Sequence, residues 1–527
     1  MNFKLDPTIH RTMQERIAMV THPDCPIENL LVVAEYDTDL SVVEACALNE
    51  NATQEVFEVV MRQLRVDMNH ITRAKASHKI KNDAKFKKSF CVLPWNHAAT
   101  NSNGSVRMCC QMIYGDSDMP FGDLRKEDGT SLTHVDDINK HRNAPHWKKL
   151  RKMMLEGKRH DVCKLCWDEE ANGIESKRQQ HNNIWNADIA DMVSKTEEDG
   201  SISNEQFPIK YWDLRFGNKC NIKCRSCGPN DSDQWYSDWK ALGLGDSFET
   251  KDGDKLQIEV DMGKDVVKET FDWVDESPLW THLQNNLDTT DRFYFTGGEP
   301  TINNTHRQLL QYMIDNDRAK DVTLKEVNIG MSIDGLFEHF EYIRNPAKWA
   351  AVERNLKRID TDDNLTNTTA SFTVTTSIMN VVHVLDMIWW LKEQKFSRIN
   401  KNLVSHNLYY PLFYNIKNLP PEIKTAITNV YERFINEIHR RWASDTEWCN
   451  KAERTLRSIL KHMHNEDWDP SEYMAYFTRQ DALDKIRNEN WRESLKGLAD
   501  LITYYEASKA REKKLTLDIA SKKKVRK

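Results

Sequence analysis

The densest group of reactive side chains lies in "FGNKCNIKCRSCGPN", residues 216–230, where Cys220, Cys224 and Cys227 are spaced C-x3-C-x2-C. No fourth cysteine or histidine follows nearby. Thiolates select zinc or iron–sulfur clusters. A structural zinc site closes with four protein ligands, and clusters that only carry electrons are held by four thiolates. Three thiolates can hold three irons of a [4Fe-4S] cube and leave the fourth open. That vacancy suits a molecule that chelates iron through an amine and a carboxylate. Zinc completed by a distant residue is the competing reading.

A second set of cysteines lies upstream. Eight of the eleven cysteines fall between Cys91 and Cys227, in clumps: Cys91, Cys109–Cys110, Cys163-x2-Cys166 and the triplet. Clumped thiols in a chain without a recognisable secretion signal point to metal rather than disulfides. Cys25, Cys46 and Cys449 stand alone and read as small buried apolar residues. In "FCVLPWNHAATNSNGSVRMCC" the Asn-Gly turn signal at Gly104 predicts a hairpin with Cys91 and Cys109 on adjacent strands. His97 reads as a packed loop histidine. "NAPHWKKLRKMMLEG" predicts a helix with Pro145 in its first turn, Gly157 past its end, and Trp147, Leu150 and Met154 on one face. "CKLC" follows directly, and the polar stretch 190–208 reads as a linker or solvated connection.

The elements that position these groups follow from pattern. Residues 1–80 read as a helical, repeat-like module: 22–33 aligns with 49–60 without gaps, and Pro26 and Thr53 suit helix starts. From about 209 strands alternate with helices, which implies parallel β/α units. The strands are "IKYWDLRF", "RFYFTGGEP", "VNIGMSIDG", "SFTVTTSIMN" and "NLVSHNLYYPL". Helices follow to about 510, and residues 511–527 form a basic tail that reads as frayed and solvated. Mean hydropathy of -0.71 and the lack of ~20 consecutive apolar residues argue for a soluble chain, with cytoplasmic location expected. A net charge of -7 argues against a large nucleic-acid footprint.

The C-x3-C-x2-C loop after a first strand, with "GGEP" ending the next, resembles the radical S-adenosylmethionine superfamily. The resemblance implies that Cys220, Cys224 and Cys227 hold a [4Fe-4S] cluster whose open iron is chelated by S-adenosylmethionine. One electron then cleaves the cofactor to a 5'-deoxyadenosyl radical that abstracts hydrogen. It places Gly297, Gly298 and Glu299 against the cofactor; glycines let backbone approach closely, and Glu299 can accept from an ammonium group. Ser332, Asp334, Arg344, Ser377 and Asn380 match softer positions, where capping of loops or helices is an equal alternative. Upstream, Cys91, Cys109, Cys163 and Cys166 resemble the twitch half of a SPASM domain, whose thiolates would close a second cube. Cys109 fits the G-x4-C spacing and Cys110 does not. Zinc is a competitor there as well.

The implied fold is α/β: a partial (β/α)6-type barrel over 209–420, a twitch domain over 88–175, and helical regions over 1–80 and 421–510. The layout resembles twitch-domain radical proteins, many of them phage-encoded, which would place the chain in a host cytoplasm. Two departures stand out. The twitch-like segment precedes the barrel instead of following it. "AKDVTLK" also abuts "EVNIGMSIDG" without room for a crossover helix, so either one long strand or a barrel one β/α unit short is expected. A peptide or protein substrate, and an electron donor such as flavodoxin or ferredoxin, follow from the resemblance alone. A metal-stabilised interaction protein without catalysis, and radical modification of RNA, are the alternatives.

Overall fold

The computed structural model describes residues 13–37, 39–102, 106–112, 142–171, 175–243, 248–249, 255–256, 279–319 and 327–525. Gly104 and most of "AKDVTLK" lie outside them. The chain forms two compact units: Met1–Cys220 with Asp246–Lys325, and Asn221–Gly245 with Glu326–Lys527.

The first unit opens with helices Met13–Val20, Ile27–Tyr36, Leu40–Leu48, Gln54–Leu64 and Met68–Asn82. Pro26 precedes the second and Thr53 caps the fourth, its hydroxyl accepting from the Val56 amide. Of the aligned positions, Val33 and Val60 are both buried, and Leu30 is buried while its counterpart Phe57 is partly buried, with Cys25 and Cys46 in the same core. Glu44 fastens this core to later chain, accepting from Asn186 at 3.1 Å and meeting His70 at 2.7 Å.

The hairpin is present, but the cysteines lie outside its strands. β1 (His97–Thr100) pairs antiparallel with β2 (Val106–Arg107). Cys91 precedes the short helix Leu93–Asn96, and Cys109 follows β2. β1 also pairs in parallel with β3 (Tyr211–Arg215), with Ala99 beside Asp213. After a small ribbon of β4 (Phe248–Glu249) and β5 (Lys255–Leu256), β6 (Arg292–Thr296) pairs in parallel on the far side of β3. The sheet order is therefore β2-β1-β3-β6.

The stretch 190–208 is solvated along much of its length, with Glu197, Glu198, Asp199, Glu205 and Gln206 exposed, but it is anchored at a few points. Ile202, Phe207 and Ile209 are buried, and two fully buried arginines bind its carbonyls. Arg151 donates to Gly200 O (2.7 Å), Pro94 O (3.0 Å) and Arg142 O (2.5 Å). Arg142 donates to Phe207 O (2.7 Å) and to Trp95 O. Scattered apolar residues in a polar stretch carry too weak a period to show this in sequence. Both arginines extend from the region of the helix Pro145–Leu155, whose Trp147, Leu150 and Met154 face the core.

In the second unit β7 (Val327–Ser332), β8 (Thr368–Thr376) and β9 (Ile399–Asn407) form a parallel sheet in that order. Helices Phe337–Ile343 and Trp349–Thr361 connect β7 to β8, and Val384–Glu393 connects β8 to β9. Phe372, Val374, Ile388 and Leu391 enter one core with residues of the helices Pro421–Arg441, Thr446–His464 and Pro470–Arg487, and Cys449 is buried there. The final helix, Lys496–Val525, carries through the expected basic tail. Its Ala, Leu, Glu and Lys content favours helix. The architecture is mixed α/β with small parallel sheets. Among the described residues no helix is long and apolar enough to cross a membrane.

Arg151→Met leaves three carbonyls unsatisfied. We expect a loss of about 3 kcal/mol, at roughly 1 kcal/mol or more per buried group, read as a lower midpoint in chemical denaturation.

Candidate metal centres

Cys91, Cys109, Cys163 and Cys166 line one cavity in the first unit, with Met108, Met112, Leu150, Met154 and Arg178 among the other lining residues. Each arrives on a different support. Cys91 enters beside Phe90, whose carbonyl accepts from Asn182 and Arg178 at 2.8 Å each. Cys109 accepts from the Gln111 amide at 3.5 Å. Cys163 closes the turn Asp161–Cys163, started by the His160 ring accepting from Val162 N, and Cys166 sits in the helix Lys164–Ala171. Arg178 is itself fixed by a two-oxygen ion pair with Glu170, both bonds 2.8 Å.

Burial pushes the Cys91 thiol up to about 11 and the Cys163 thiol up to about 12, and it raises Cys166 as well. Such thiols stay protonated until a cation compensates the thiolate, which is the condition for metal binding coupled to proton release. All four cysteines line the same cavity. Among the described residues, no three Cys, His, Asp or Glu side chains are grouped to hold a single ion. A zinc ion needs its sulfurs about 2.3 Å from a common centre, whereas a cube spreads its ligands over a wider frame. The donor set fits a cluster, and Arg178 supplies a positive charge against it.

Cys110 is not among the residues lining the cavity. Its sulfur accepts from Lys177 at 2.9 Å, and Lys177 lies 3.6 Å from Asp213 on β3. Burial, then Cys110, pushes the Asp213 carboxyl up to about 6. His97 is a strand residue, fully buried, bonded to Met108 O at 2.8 Å and packed on Tyr211. Burial drops it to about 4, so it is neutral. Arg178, Lys177 and Gln111 escape sequence reasoning because a lone basic or amide residue in a helix or loop carries no spacing signal.

The boundary between the units falls inside the triplet, after Cys220. On the first unit's side, the glycine turn meets the chain leading to Cys220. Glu299 N donates to Lys219 O at 2.8 Å. Gly298 has φ +54, and a Cβ there would lie 2.3 Å from Lys219 O; Gly297 has φ +77, and its Cβ would meet Arg215 at 2.7 Å. Both glycines are thus required by backbone approach to neighbouring chain. The Glu299 carboxylate accepts from Thr301 N (3.1 Å) and Thr301 Oγ1 (2.6 Å).

On the second unit's side, Arg225 anchors the loop. It is 1% exposed and makes ion pairs of 2.5 Å with both Asp484 and Glu489. It also donates to Gln480 (2.5 Å) and Tyr342 O (3.2 Å) and lies over the Tyr342 ring. Backbone bonds join Lys223 N to Asn345 O and Arg225 N to Ile343 O, and the Trp235 indole donates to Cys224 O at 3.0 Å. Cys227 packs on Trp235, Trp239 and Leu483. Cys227 hydrogen-bonds Cys224, which lowers the Cys224 thiol and raises Cys227. The helix Pro470–Arg487 and the turn after it therefore supply the carboxylates that hold the loop, a role no motif in them announces.

The softer positions divide. Arg344 donates to Cys224 Sγ at 3.4 Å and pairs with Asp334 at 2.7 Å. Asp334 accepts from Thr375 N at 2.8 Å. Asn380 accepts from Ser377 N and donates to Asp334 O and Thr375 O, so Ser377 and Asn380 are buried in a turn-closing network. Ser332 ends β7 exposed.

Residues 91–167 match the model of the SPASM iron–sulfur cluster-binding domain. This segment is SPASM-like. The SPASM match covers Cys91 through Cys166, supports iron–sulfur binding in that segment, and links the chain to proteins associated with radical S-adenosylmethionine chemistry. Its end at residue 167 leaves out the triplet and Arg178. No curated protein and no solved structure matches the chain.

Three outcomes are expected. Cys163→Ala should lose about four irons per chain, one cube's worth, in an iron and sulfide assay. Because Cys91 and Cys163 have folded values of about 11 and about 12 against an ordinary 9.0, their contribution to metal-free stability is intact below pH 9. It is lost as pH rises through 11–12, so metal-free Cys163→Ala should show a shallower fall in melting temperature than the unsubstituted metal-free protein. Arg225→Ala leaves the buried Asp484 and the half-buried Glu489 without their shared cation; a cost of about 3–5 kcal/mol should appear in denaturation, with iron lost although every thiol remains.

Proposed function

We propose that the chain is a radical S-adenosylmethionine enzyme with an N-terminal auxiliary cluster. Cys220, Cys224 and Cys227 bind the reactive [4Fe-4S] cluster; Cys91, Cys109, Cys163 and Cys166 bind the second. The observation that carries this is the pairing of two motifs: the glycine turn before Glu299 is hydrogen-bonded to Lys219, immediately before the first cysteine of an open triplet. The SPASM match upstream supports the same reading. When bound, the reactive cluster supplies the electron that cleaves S-adenosylmethionine to a 5'-deoxyadenosyl radical.

The chain's own residues orient and insulate. Gly297 and Gly298 hold a tight backbone turn against Arg215 and Lys219, and Glu299 is available to the cofactor's ammonium group. Trp235 and the Arg225 clamp fix the cysteine loop. The strands β3, β6, β7, β8 and β9 are proposed as those of a shortened barrel. A peptide or protein substrate, reduction by a flavodoxin or ferredoxin, and a cytoplasmic setting complete the proposal by family analogy.

Anaerobic reconstitution with iron and sulfide, followed by reduction and added S-adenosylmethionine, tests it. We expect about eight irons per chain, one cluster with a spectrum altered by S-adenosylmethionine, and release of 5'-deoxyadenosine. Cys224→Ala should retain about half the iron and release none. A full complement of cluster with no spectral response and no 5'-deoxyadenosine would refute it.

A further inference from the structure

Arg344 has a contact set that differs from that of a residue waiting for a ligand. It caps the helix Phe337–Ile343 and is mostly buried, its side chain 12% exposed. One Nη holds the Asp334 carboxylate at 2.7 Å, and the other donates to Cys224 Sγ at 3.4 Å. Its Nε–H is buried and has no acceptor among the described residues. Asp334 is fixed in turn: it is 1% exposed, Thr375 N donates to one carboxylate oxygen, and Asn380 donates to its carbonyl. The result is a chain of contacts, from the end of β8 through Asp334 and Arg344, that ends on one sulfur of the triplet. Burial opposes the guanidinium charge, but Asp334 and then the two thiols outweigh it and keep Arg344 cationic.

A cation and an N–H donor at a ligating sulfur favour the more negative, reduced state of a cluster, and hydrogen bonds to sulfur together with burial set cluster potentials. A carboxylate behind that cation works in the opposite sense. We propose that Arg344, aimed by Asp334, is a positioning residue that sets the reduction potential of the triplet's cluster through Cys224. It is therefore committed to the cluster and does not serve as an open site for the cofactor's carboxylate. The proposal rests on iron–sulfur binding at the triplet.

The test is a potentiometric titration of the full-length reconstituted protein, read by the spectrum of the cluster that responds to S-adenosylmethionine. Arg344→Met should make that cluster harder to reduce by at least tenfold in the reduced-to-oxidised ratio, 59 mV for one electron. Asp334→Asn should make it easier to reduce, and Arg344→Lys should fall between Arg344→Met and the unsubstituted protein. The cluster that does not respond to S-adenosylmethionine serves as the internal reference and should not move. A purely structural role would leave the potential in place or shift both variants in one direction, and either result overturns the inference. If Arg344→Met fails to assemble, the opposite shifts of Asp334→Asn and Arg344→Lys decide it. Absence of any responsive cluster in the unsubstituted protein refutes the enzyme reading itself, which is distinguishable from a responsive cluster whose potential ignores Arg344.

Discussion

A guanidinium with no solvent exposure holds the second half of the triplet in place. Arg225 sits between Cys224 and Cys227 and has its charge matched by Asp484 and Glu489 from the far end of the chain. A buried ion pair adds little net stability against an apolar replacement, yet losing one partner is severe. Such a device contributes geometry more than energy. The loop is short, glycine-flanked and without regular structure, so its thiol positions depend on what surrounds it. Tyr342 joins the same network, donating to Gln480 and Asp484, and Lys223 and Arg487 share Asp238. The C-terminal helices are in effect the backing plate of the cysteine loop.

Thiols are raised in both cysteine groups, and the groups differ at Cys224. At the auxiliary cavity, burial raises the thiols and Arg178 is the lining cation. At the triplet, Cys224 is lowered by its partner thiol and by Arg344. The first site stores protonated thiols that yield only to metal; the second holds one sulfur already inclined to the anionic form. On the proposed reading the four-thiol set leaves no open coordination corner, and Arg344 places a positive charge beside Cys224 of the triplet.

The sequence made much of this visible where spacing or period carries information. Pro145 and Gly157 bracket their helix, Thr53 caps its own, and five strands fall where alternating patterns place them. Cys91, Cys109, Cys163 and Cys166 could be grouped through their resemblance to the twitch half of a SPASM domain. What stayed hidden depends on long-range contact. The parallel pairing of β1 with β3 joins segments over a hundred residues apart, and four-residue strands have no period to speak of. Arg225 looked like an ordinary basic residue inside a metal motif because its partners lie more than two hundred and fifty positions away. The anchoring of the polar stretch 190–208 stayed hidden because backbone carbonyls that accept from Arg142 and Arg151 leave no trace in side-chain composition.

The sharing of one sheet by β1 and β3 bears on how the molecule can be divided. A fragment starting after the upstream cysteines would strip β3 of one of its two neighbours and leave the backbone groups that Tyr211–Asp213 direct at β1 unpaired, along an edge that carries Tyr211 and Trp212. Exposed edges of that kind recruit foreign strands and self-associate. The four-cysteine segment thus acts as an edge guard for the strand beside it, and a shortened chain would tend towards insolubility before its chemistry could be assayed.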